Sequence, residues 1–563
     1  MALRPQRSVP RTLAEIAHRA GASLRSADAA AADAVRVTGA TVDSRDVRDG
    51  DLFGAFTGLK VHGATFARDA IAAGAVAVLT DAAGAELLAD VTVPVLVSAD
   101  ARVAMGEAAA LVYGDPSREL AFVGVTGTNG KTTTAYFIDN ALAQTHERRG
   151  IMGTVELRIG GEAIESPRTT VEAPVLHGLL ARMVEDGVTA AVTEVSSHAA
   201  ALERIGGVDF SVAVFTNLQW DHLDFHGTME AYLEAKAKLF APGRARRGII
   251  NVDDEWGRKL AAQVRIPCET VSTHVDDPQD ADWVVTSADI GLDGVGSRFV
   301  FRAPDGSSHA AASPLPGLVN VSNAMVAIAA AHAAGVPLEK AIDGVATAHE
   351  VPGRMERVVE RSEADPLAIV DYAHTPDALT LALQGVRPIT PGRLILIFGS
   401  DGDRDQGKRP VMGSIAADLA DVIVLTDENP RSEEPAAIRA AIREGIREAR
   451  PDLRDVHEVE PRVAAVEYGL RLGAPGDTVI VTGKGHEPTQ EIAGVFHRYN
   501  DRDAYLAAHE RISAGAAPLA AAVTVHGPVS EVDAAVATLF VAASVDASAA
   551  ASSAAEPTPG ETA

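Results

Sequence analysis

The chain of 563 residues is longer than one hydrophobic core usually supports, which predicts two to four domains. Its composition, with 47% hydrophobic and 23% charged residues, is typical of a globular protein. The formal charge of −27 excludes a general nucleic-acid or anionic-membrane partner, because such surfaces attract basic proteins.

Two features of the sequence predict the compartment. The arginines near the N-terminus are not followed by an apolar run, and no segment approaches the roughly 20 apolar residues of a membrane span. Cys268 is the single cysteine, so no internal disulfide can form, a reducing compartment is expected, and an inert thiol is the favoured interpretation. We therefore expect a cytoplasmic protein without membrane contact, and we expect a monomer.

Strand and helix patterns alternate along most of the chain. Residues 36–113 contain short strand patterns, for example at 75–79, and Ala-rich helical patterns, for example at 101–111. A turn at 113–117 predicts a first boundary. A buried strand at 120–125 then runs into a Gly-rich turn and a helix that begins at Lys131. This alternation predicts an α/β protein.

Val351-Pro352-Gly353 predicts a second boundary. Strand patterns separated by helices follow it at 367–370, 394–398, 422–425 and 478–481, which is typical of a doubly wound parallel sheet. Residues 513–563 are rich in Ala, Ser and Pro, and we expect them to be disordered or loosely helical and dispensable. The predicted division is 1–115, 116–352, 353–512 and a tail at 513–563.

A phosphate-binding loop is predicted between the strand at 120–125 and the following helix. Backbone N–H groups of such a turn point at phosphate oxygens, the lysine balances their charge, and the first threonine hydroxyl can bind Mg²⁺. Val125 stands where the standard motif has its first glycine, so the loop is a variant. The predicted ATP-binding residues here are Gly127, Thr128, Asn129, Gly130, Lys131, Thr132 and Thr133.

Acidic and histidine residues follow two further strands. Glu194 lies at the end of the strand at 190–193, where a carboxylate can reach a metal ion beside the phosphates. The strand at 212–215 leads into a loop with two histidines and two aspartates between Asp221 and His226. By itself that loop is as compatible with a solvated turn as with a metal site. Together with the phosphate loop and Glu194, it favours metal binding.

These motifs, with Glu234-Ala235-Lys236-Ala237-Lys238 after them, resemble the Mur ligases from about Arg11 to Arg511, and within that family those that add the third residue of the stem peptide. The resemblance implies three domains: an N-terminal UDP-binding α/β domain, a central P-loop ATPase domain with a mostly parallel sheet, and a C-terminal Rossmann-like domain. It also implies ATP, UDP-N-acetylmuramoyl-L-alanyl-D-glutamate and a diamino acid as substrates, with Mg²⁺ as cofactor.

The resemblance assigns roles to further residues. The catalytic set would be Lys131, Lys236, His222 and Arg354, and Mg²⁺ would be held by Thr132, Glu194, His222 and Lys236 as a CO₂-derived carbamate. Further ATP contacts would come from Asn320, Asn323, Arg354, Asp371 and His374. The UDP-muramoyl dipeptide would contact Val42, Ser44, Leu59, Lys60, Val61, Thr169, Thr170, Ser196 and Arg204. A family glutamine two residues before the last of these is Leu202 here.

The C-terminal domain would read the added amino acid through Arg404, Glu428, Asn429, Pro430, Arg431, Gly483 and Glu487. Arg431 suits a second carboxylate and favours meso-diaminopimelate, since an arginine can pair bidentately with it. Two departures keep L-lysine or ornithine open: Glu428 replaces the usual aspartate, and Ser400-Asp401 replaces the usual Cys-Gly.

Two other functions compete with this interpretation. A folylpolyglutamate-type ligase would share the ATPase chemistry, but the uridine-side segment and Glu428-Asn429-Pro430-Arg431 argue against it. A nucleotide-dependent scaffold protein would have no use for an acceptor site. The sequence therefore predicts an amide ligase that forms an acyl phosphate from ATP and passes the acyl group to an amine.

Overall fold

The computed structural model describes residues 4–25, 29–58, 61–164, 168–276, 280–290 and 296–554. They form two compact units. The first comprises residues 1–288, 299–312 and 321–348, and the second comprises residues 289–298, 313–320 and 349–563. The first unit contains both the N-terminal and the central sheet.

The N-terminal part builds a five-stranded sheet of order β2-β7-β6-β5-β4, in which β4 to β7 are parallel and β2 is antiparallel. Helices α1 and α5 bury Leu13, Ile16 and Met105 against one face. Its elements are β1 (Arg11–Thr12), α1 (Leu13–Ala20), β2 (Ser23–Arg25), α2 (Ala29–Ala34), β3 (Arg36–Val37), β4 (Gly39–Thr41), β5 (Asp51–Ala55), α3 (Ala67–Ala72), β6 (Ala77–Thr80), α4 (Ala82–Leu87), β7 (Val95–Val97) and α5 (Ala101–Val112).

The central part builds an eleven-stranded sheet of order β11-β10-β9-β12-β8-β13-β14-β15-β16-β17-β18. The pairs in the run β9-β12-β8-β13-β14-β15-β16 are parallel, whereas β10 is antiparallel to both β9 and β11. Its elements are β8 (Ala121–Thr126), α6 (Lys131–Leu142), β9 (Arg149–Met152), β10 (Leu157–Ile159), β11 (Glu162–Ile164), α7 (Ala173–Glu185), β12 (Ala190–Glu194), α8 (Ser197–Ala201), β13 (Phe210–Phe215), α9 (Leu223–His226), α10 (Met229–Ala237), β14 (Ala245–Asn251), α11 (Glu255–Gln263), β15 (Cys268–Ser272), β16 (Trp283–Ile290), β17 (Ser297–Arg302), β18 (Ser308–Ser313), α12 (Leu318–Ala333) and α13 (Leu338–Ala346).

The C-terminal part builds a seven-stranded sheet of order β19-β20-β24-β21-β22-β23-β27, parallel from β20 to β23 with an antiparallel strand at each edge. Its elements are β19 (Glu356–Val359), β20 (Leu367–Asp371), α14 (Pro376–Val386), β21 (Leu394–Phe398), α15 (Lys408–Leu419), β22 (Val422–Leu425), α16 (Pro435–Ala449), β23 (Val456–Glu460), α17 (Arg462–Leu472), β24 (Thr478–Thr482), β25 (Thr489–Ile492), β26 (Val495–Arg498), α18 (Asp501–Ser513), β27 (Ala522–Val525) and α19 (Glu531–Ala554).

The parallel strands explain where polar residues gather. Gly127 follows β8, Glu194 ends β12 and Thr216 follows β13, and these three strands are neighbours. In the C-terminal sheet, the loops after β21, β22 and β24 likewise leave the same edge. In α/β folds, ligands usually bind at the carboxyl ends of the parallel strands. Each unit therefore has a candidate site at the carboxyl ends of its own strands.

The tail does not behave as its composition suggested. The expectation of a disordered or loosely helical segment is wrong for its first part, because β27 pairs with β23 and α19 packs on the sheet. Phe540 is fully buried against Tyr468 at a ring distance of 5.1 Å, and Asp533 forms an ion pair with Arg393 at 3.0 Å. Few large apolar residues are present, but Val536 and Phe540 are among those that face the core. Residues 555–563 lie outside the described part.

Among the residues that the structure describes, no helix is long and apolar enough to cross a membrane.

Candidate active site

The phosphate loop joins β8 to α6. Gly130 precedes the helix with φ 85°, and a Cβ on it would collide with the Asn323 side-chain oxygen. Glycine is therefore required by both conformation and space. The Nζ atom of Lys131 donates to the carbonyl oxygens of Gly127 at 3.0 Å and Thr128 at 2.9 Å. The loop thus has a cation at its centre and a helix N-terminus behind it, which is a favourable arrangement for phosphate.

Glu194 joins the loop to the neighbouring segments. Its buried carboxylate accepts hydrogen bonds from the Thr132 hydroxyl at 3.1 Å and from the backbone N–H of Thr154 at 2.8 Å. The Thr170 hydroxyl donates to its backbone carbonyl at 2.9 Å, and Thr154 Oγ1 donates to Thr169 Oγ1 at 3.0 Å. A carboxylate and a hydroxyl placed together beside a phosphate loop are oxygen donors of the kind that Mg²⁺ prefers.

Lys236 reaches the same loop from α10. Its side chain is 1% exposed, and its Nζ atom lies 2.6 Å from the Gly127 carbonyl oxygen and 4.6 Å from the Tyr232 ring centroid. Burial lowers the pKa of Lys236 well below its usual value, and the positive charge of Lys131 adds to this effect. A buried amine that loses its proton easily is available for covalent chemistry.

Three histidines, His198, His222 and His226, form a cluster next to Tyr232. The ring of His198 lies 4.9 Å from that of His222 and 5.5 Å from that of His226, and His226 also packs against Tyr232 at 4.9 Å. Partial burial lowers the pKa of His222 to about 4, so its ring is neutral at pH 7. Among the side chains described, no three His, Cys, Asp or Glu residues are already grouped as metal ligands.

The side chains of Asn217 and Asn323 lie against the phosphate loop and the start of α6. The Thr134 hydroxyl donates to Asn323 Oδ1 at 3.3 Å, and the N–H of Asn129 donates to Asn217 Oδ1 at 2.9 Å. Thr128 Oγ1 lies 3.2 Å from the Tyr232 hydroxyl, and Thr133 is buried. Asn320, on the first turn of α12, is also buried and donates to the Pro316 carbonyl oxygen at 2.8 Å.

The predicted UDP-muramoyl side is partly described. Val42 lines a small cavity together with Glu172 and Leu202, which links the N-terminal sheet to the central part. Arg204 forms an ion pair with Glu172 at 2.9 Å and donates to the Thr170 carbonyl at 3.3 Å. Ser44 starts a short 3₁₀ turn, Ser196 is the N-cap of α8 and Val61 is exposed. The predicted residues Leu59 and Lys60 lie outside the described residues.

In the second unit, the three residues predicted to reach ATP lie together. The Arg354 guanidinium lies over the Tyr372 ring at 4.2 Å, and the His374 ring contacts the same ring edge-on at a centroid distance of 4.6 Å. Asp371 accepts hydrogen bonds from the backbone N–H groups of Met355 and Ala373, both at 2.8 Å. The Tyr372 ring therefore contacts both Arg354 and His374.

The amino-acid residues form a second cluster in that unit. Lys484 Nζ, fully buried, donates to Asn429 Oδ1 and Glu487 Oε2, both at 2.8 Å, while Asn429 Nδ2 donates to Glu487 Oε2 at 3.1 Å. The Tyr372 hydroxyl donates to Glu487 Oε1 at 3.4 Å, so the two clusters touch. Pro430 is buried beside them, whereas Arg404 is exposed.

Two further carboxyl groups of this unit, those of Asp401 and Glu428, act on each other electrostatically. Asp401 Oδ2 is 3.4 Å from Arg431 Nη2, and the buried Glu428 lies close to Gly483. A Cβ at residue 483, where φ is 111°, would come within 2.7 Å of Glu428 Oε2. Burial, followed by the negative charge of Asp401, raises the pKa of Glu428 to about 8.

Several side chains in these clusters were not among the predicted site residues. His198 lies four residues after Glu194 and Lys484 directly follows Gly483, so their nearness to predicted site residues was a usable signal. Tyr232 and Tyr372 gave no such signal, because an aromatic residue in a helix or after a strand is usually a core residue. Partial burial raises the pKa of Cys268 to about 11, which agrees with the inert thiol expected from the sequence.

Three family domains match the sequence. They are the Mur ligase middle domain at residues 125–331, the glutamate ligase domain of Mur ligases at residues 353–485 and the Mur ligase family catalytic domain at residues 36–113. Together they cover more than half of the chain, which therefore belongs to the Mur ligase family. It is an ATP-dependent amide ligase with the three-domain α/β fold of that family, as predicted.

The chain is 47% identical over 502 residues to the UDP-N-acetylmuramoyl-L-alanyl-D-glutamate–2,6-diaminopimelate ligase of Streptomyces coelicolor, covering 89% of this chain and 96% of the relative. It is 44% identical over 509 residues to the UDP-N-acetylmuramyl-tripeptide synthetase of Leifsonia xyli subsp. xyli, with the same coverage. A solved structure of a UDP-N-acetylmuramoyl-L-alanyl-D-glutamate–2,6-diaminopimelate ligase aligns with a TM-score of 0.61 at 35% identity, covering 85% of this chain and 96% of that one. The predicted ligase function in peptidoglycan synthesis is confirmed.

Proposed function

We propose that this ligase joins a diamino acid to UDP-N-acetylmuramoyl-L-alanyl-D-glutamate and thereby adds the third residue of the stem peptide. The observation that carries the proposal is that cations and carboxylates lie together on the loops after β22 and β24: Asn429, Lys484 and Glu487 are joined by hydrogen bonds, and Arg431, two residues after Asn429, pairs with Asp401. A diamino acid carries both signs of charge, so it requires both kinds of partner. The names of the relatives at 44–47% identity support the same reaction.

The favoured amino acid is meso-diaminopimelate. Arg431 is the partner we assign to its distal carboxylate, because a guanidinium binds a carboxylate through two parallel hydrogen bonds. L-lysine or ornithine is the second candidate, and Asp401 and Glu428 are the observation that favours it, since both carboxyl groups suit a distal ammonium.

The reaction begins with the dipeptide carboxylate, which is a poor acyl donor. Its oxygen takes the γ-phosphoryl group of ATP to give an acyl phosphate and ADP; the amine then attacks the carbonyl carbon, and phosphate leaves with the oxygen. Lys131 and the N–H groups of residues 127–133 hold the phosphates, and Arg354 screens the negative charge that develops between the two anionic substrates. Arg354, Asp371, His374, Asn320 and Asn323 are assigned to ATP.

The residues beside the phosphate loop fit Mg²⁺. Thr132 and Glu194 would hold one ion, and Glu194, His222 and Lys236 as a carbamate would hold a second. The carbamate is supported by the burial of Lys236 next to a second lysine, because an anionic oxygen ligand is more favourable there than another ammonium. When bound, Mg²⁺ would neutralise phosphate charge during transfer.

The dipeptide substrate is assigned to the first unit. Thr169, Thr170, Ser196 and Arg204 would bind its muramoyl dipeptide part. Val42, Ser44 and Leu59 to Val61 would bind the uridine part. We further propose that the enzyme acts in the cytoplasm as a monomer, which light scattering after gel filtration would test.

One experiment tests the proposal. The full-length protein is incubated with ATP, Mg²⁺ and UDP-N-acetylmuramoyl-L-alanyl-D-glutamate, and with meso-diaminopimelate, L-lysine or L-ornithine in turn. The expected result is ADP release together with a tripeptide product of the corresponding mass. A parallel incubation replaces the UDP substrate and the diamino acid with a folate and glutamate. Product from that incubation alone, or ADP release without any amide product, would contradict the proposal.

A further inference from the structure

Arg431 is held by its backbone before any ligand arrives. Its φ of 55° lies in the left-handed region, and its N–H donates to the Glu491 carbonyl oxygen at 3.0 Å while its own carbonyl accepts from the N–H of Ala493 at 2.7 Å. A non-glycine residue keeps such a conformation only when its surroundings fix it. The direction in which the Arg431 side chain leaves the backbone is therefore fixed.

That direction leads to Asp401. The Nη2 atom of Arg431 lies 3.4 Å from Asp401 Oδ2, and the two side chains are 25% and 14% exposed. The N–H of Gly402 donates to the Asn429 carbonyl oxygen at 2.8 Å, so the loop after β21 is tied to the loop after β22. The ion pair thus joins two loops that a backbone hydrogen bond already holds together.

The nearby charges are already balanced. Lys484 is engaged by Asn429 and Glu487, and Asp401 is paired with Arg431. A ligand carboxylate that approached Arg431 would have to share the guanidinium with Asp401 and would add a second negative charge next to that of Asp401. A ligand ammonium would meet no such cost.

We propose that Asp401 is a specificity-determining residue that competes with a substrate carboxylate for Arg431 and so reduces the preference for a diamino acid with two carboxylates over one with a single carboxylate. The inference rests on the proposed function, in which Arg431 receives the distal carboxylate. Asp401 would weaken the preference of Arg431 for a substrate with a distal carboxylate.

The test compares kcat/KM for meso-diaminopimelate and L-lysine in the wild type, Asp401→Asn, Arg431→Ala and the double variant. Asp401→Asn should raise the ratio of the two values about tenfold, mainly through a lower KM for diaminopimelate, because a charged hydrogen-bond partner is freed. The KM for lysine should change less than about twofold, and the gain should vanish in the Arg431→Ala background. Asp452→Asn is the matched control, because this carboxylate pairs with Arg454 on the surface of the same unit.

An unchanged ratio in Asp401→Asn, or a gain that persists without Arg431, would overturn the inference. If Asp401→Asn does not fold, Arg431→Ala in the otherwise wild-type chain still decides: competition predicts that the ratio falls by less than about threefold, and a larger fall would overturn the inference. Failure of the proposed function is a different outcome, namely no product from either amino acid in the wild type.

Discussion

The Nζ atom of Lys236 lies 2.6 Å from the carbonyl oxygen of Gly127, to which it donates a hydrogen bond. Lys236 lies on α10 and Gly127 lies in the phosphate loop, so the buried side chain of Lys236 connects this helix to the loop. Lys238, only two residues further on, instead pairs with Glu203 at 2.7 Å and is 45% exposed. The two lysines therefore have separate expected roles.

Replacement of Lys236 by alanine should abolish most activity. We expect a loss of about 100-fold or more in kcat, because a ligand for a catalytic ion would be missing. Short-chain carboxylic acids such as acetate should restore part of the rate by occupying the vacated space. The control is Lys238→Ala, which removes an exposed ion pair and should stay within about twofold of wild type. Full activity of Lys236→Ala without any additive would contradict the carbamate assignment.

Replacement of Glu194 by glutamine should raise the Mg²⁺ concentration needed for half-maximal ADP release. The carboxylate accepts hydrogen bonds from Thr132 and Thr154, and an amide would turn one acceptor into a donor facing them. We expect kcat to fall about 10- to 100-fold as well. Glu230→Gln, an exposed carboxyl group on α10, serves as the control. An unchanged Mg²⁺ titration would show that Glu194 has only a structural role.

Glu428 makes the stability of the C-terminal unit depend on pH. Burial raises its pKa from 4.5 to about 8, so the folded state keeps a proton that the unfolded state loses. The stabilisation is complete below about pH 4.5 and is lost as the pH rises to about 8. Glu428→Gln should therefore be more stable than wild type at pH 8, by about 2–4 kcal/mol, with the difference closing near pH 5.

Thermal unfolding at pH 5 and pH 8 measures this effect. Glu448→Gln, at an exposed position on α16, controls for the removal of a surface charge. If Glu428→Gln and wild type lose the same amount of stability between these pH values, Glu428 is not the buried acid responsible.

Phe540 should contribute to stability although it stands in an Ala- and Ser-rich segment. Its ring is fully buried beside Tyr468, so Phe540→Ala should cost about 3–5 kcal/mol of unfolding free energy. The neighbouring Leu539 is 53% exposed, and Leu539→Ala should change stability by less than about 1 kcal/mol. Denaturant unfolding of the two variants measures these changes in unfolding free energy. If α19 were not docked, both substitutions would change the unfolding free energy by similarly small amounts.

Particular residues explain which features could be predicted from the sequence. The strand at 394–398 is an uninterrupted apolar run and is observed as β21, and the Gly-Lys-Thr turn is observed between β8 and α6. These signals are local. The contact of Asp401 with Arg431 joins residues 30 positions apart and depends on how two loops are tied together, so no local pattern contains it.

The docking of the tail was missed for a similar reason. Its composition is poor in large apolar residues, and composition averages over the segment. The structure uses a small number of them at positions that face the sheet, among them Val523, Val536 and Phe540. Periodicity over so few apolar residues is too weak to distinguish a docked helix from a solvated one.

The strand β27 has a consequence beyond the free energy of folding. It covers β23, whose outer row of peptide N–H and C=O groups would otherwise lie open at the margin of the sheet. An open margin of this kind is a template on which another copy of the chain can add a strand. β27 is only four residues long, and Pro528 follows it closely, so it is itself a poor template. The segment therefore protects a crowded protein population from edge-to-edge aggregation, a burden that would grow with expression level and would not be visible in activity measured on dilute enzyme.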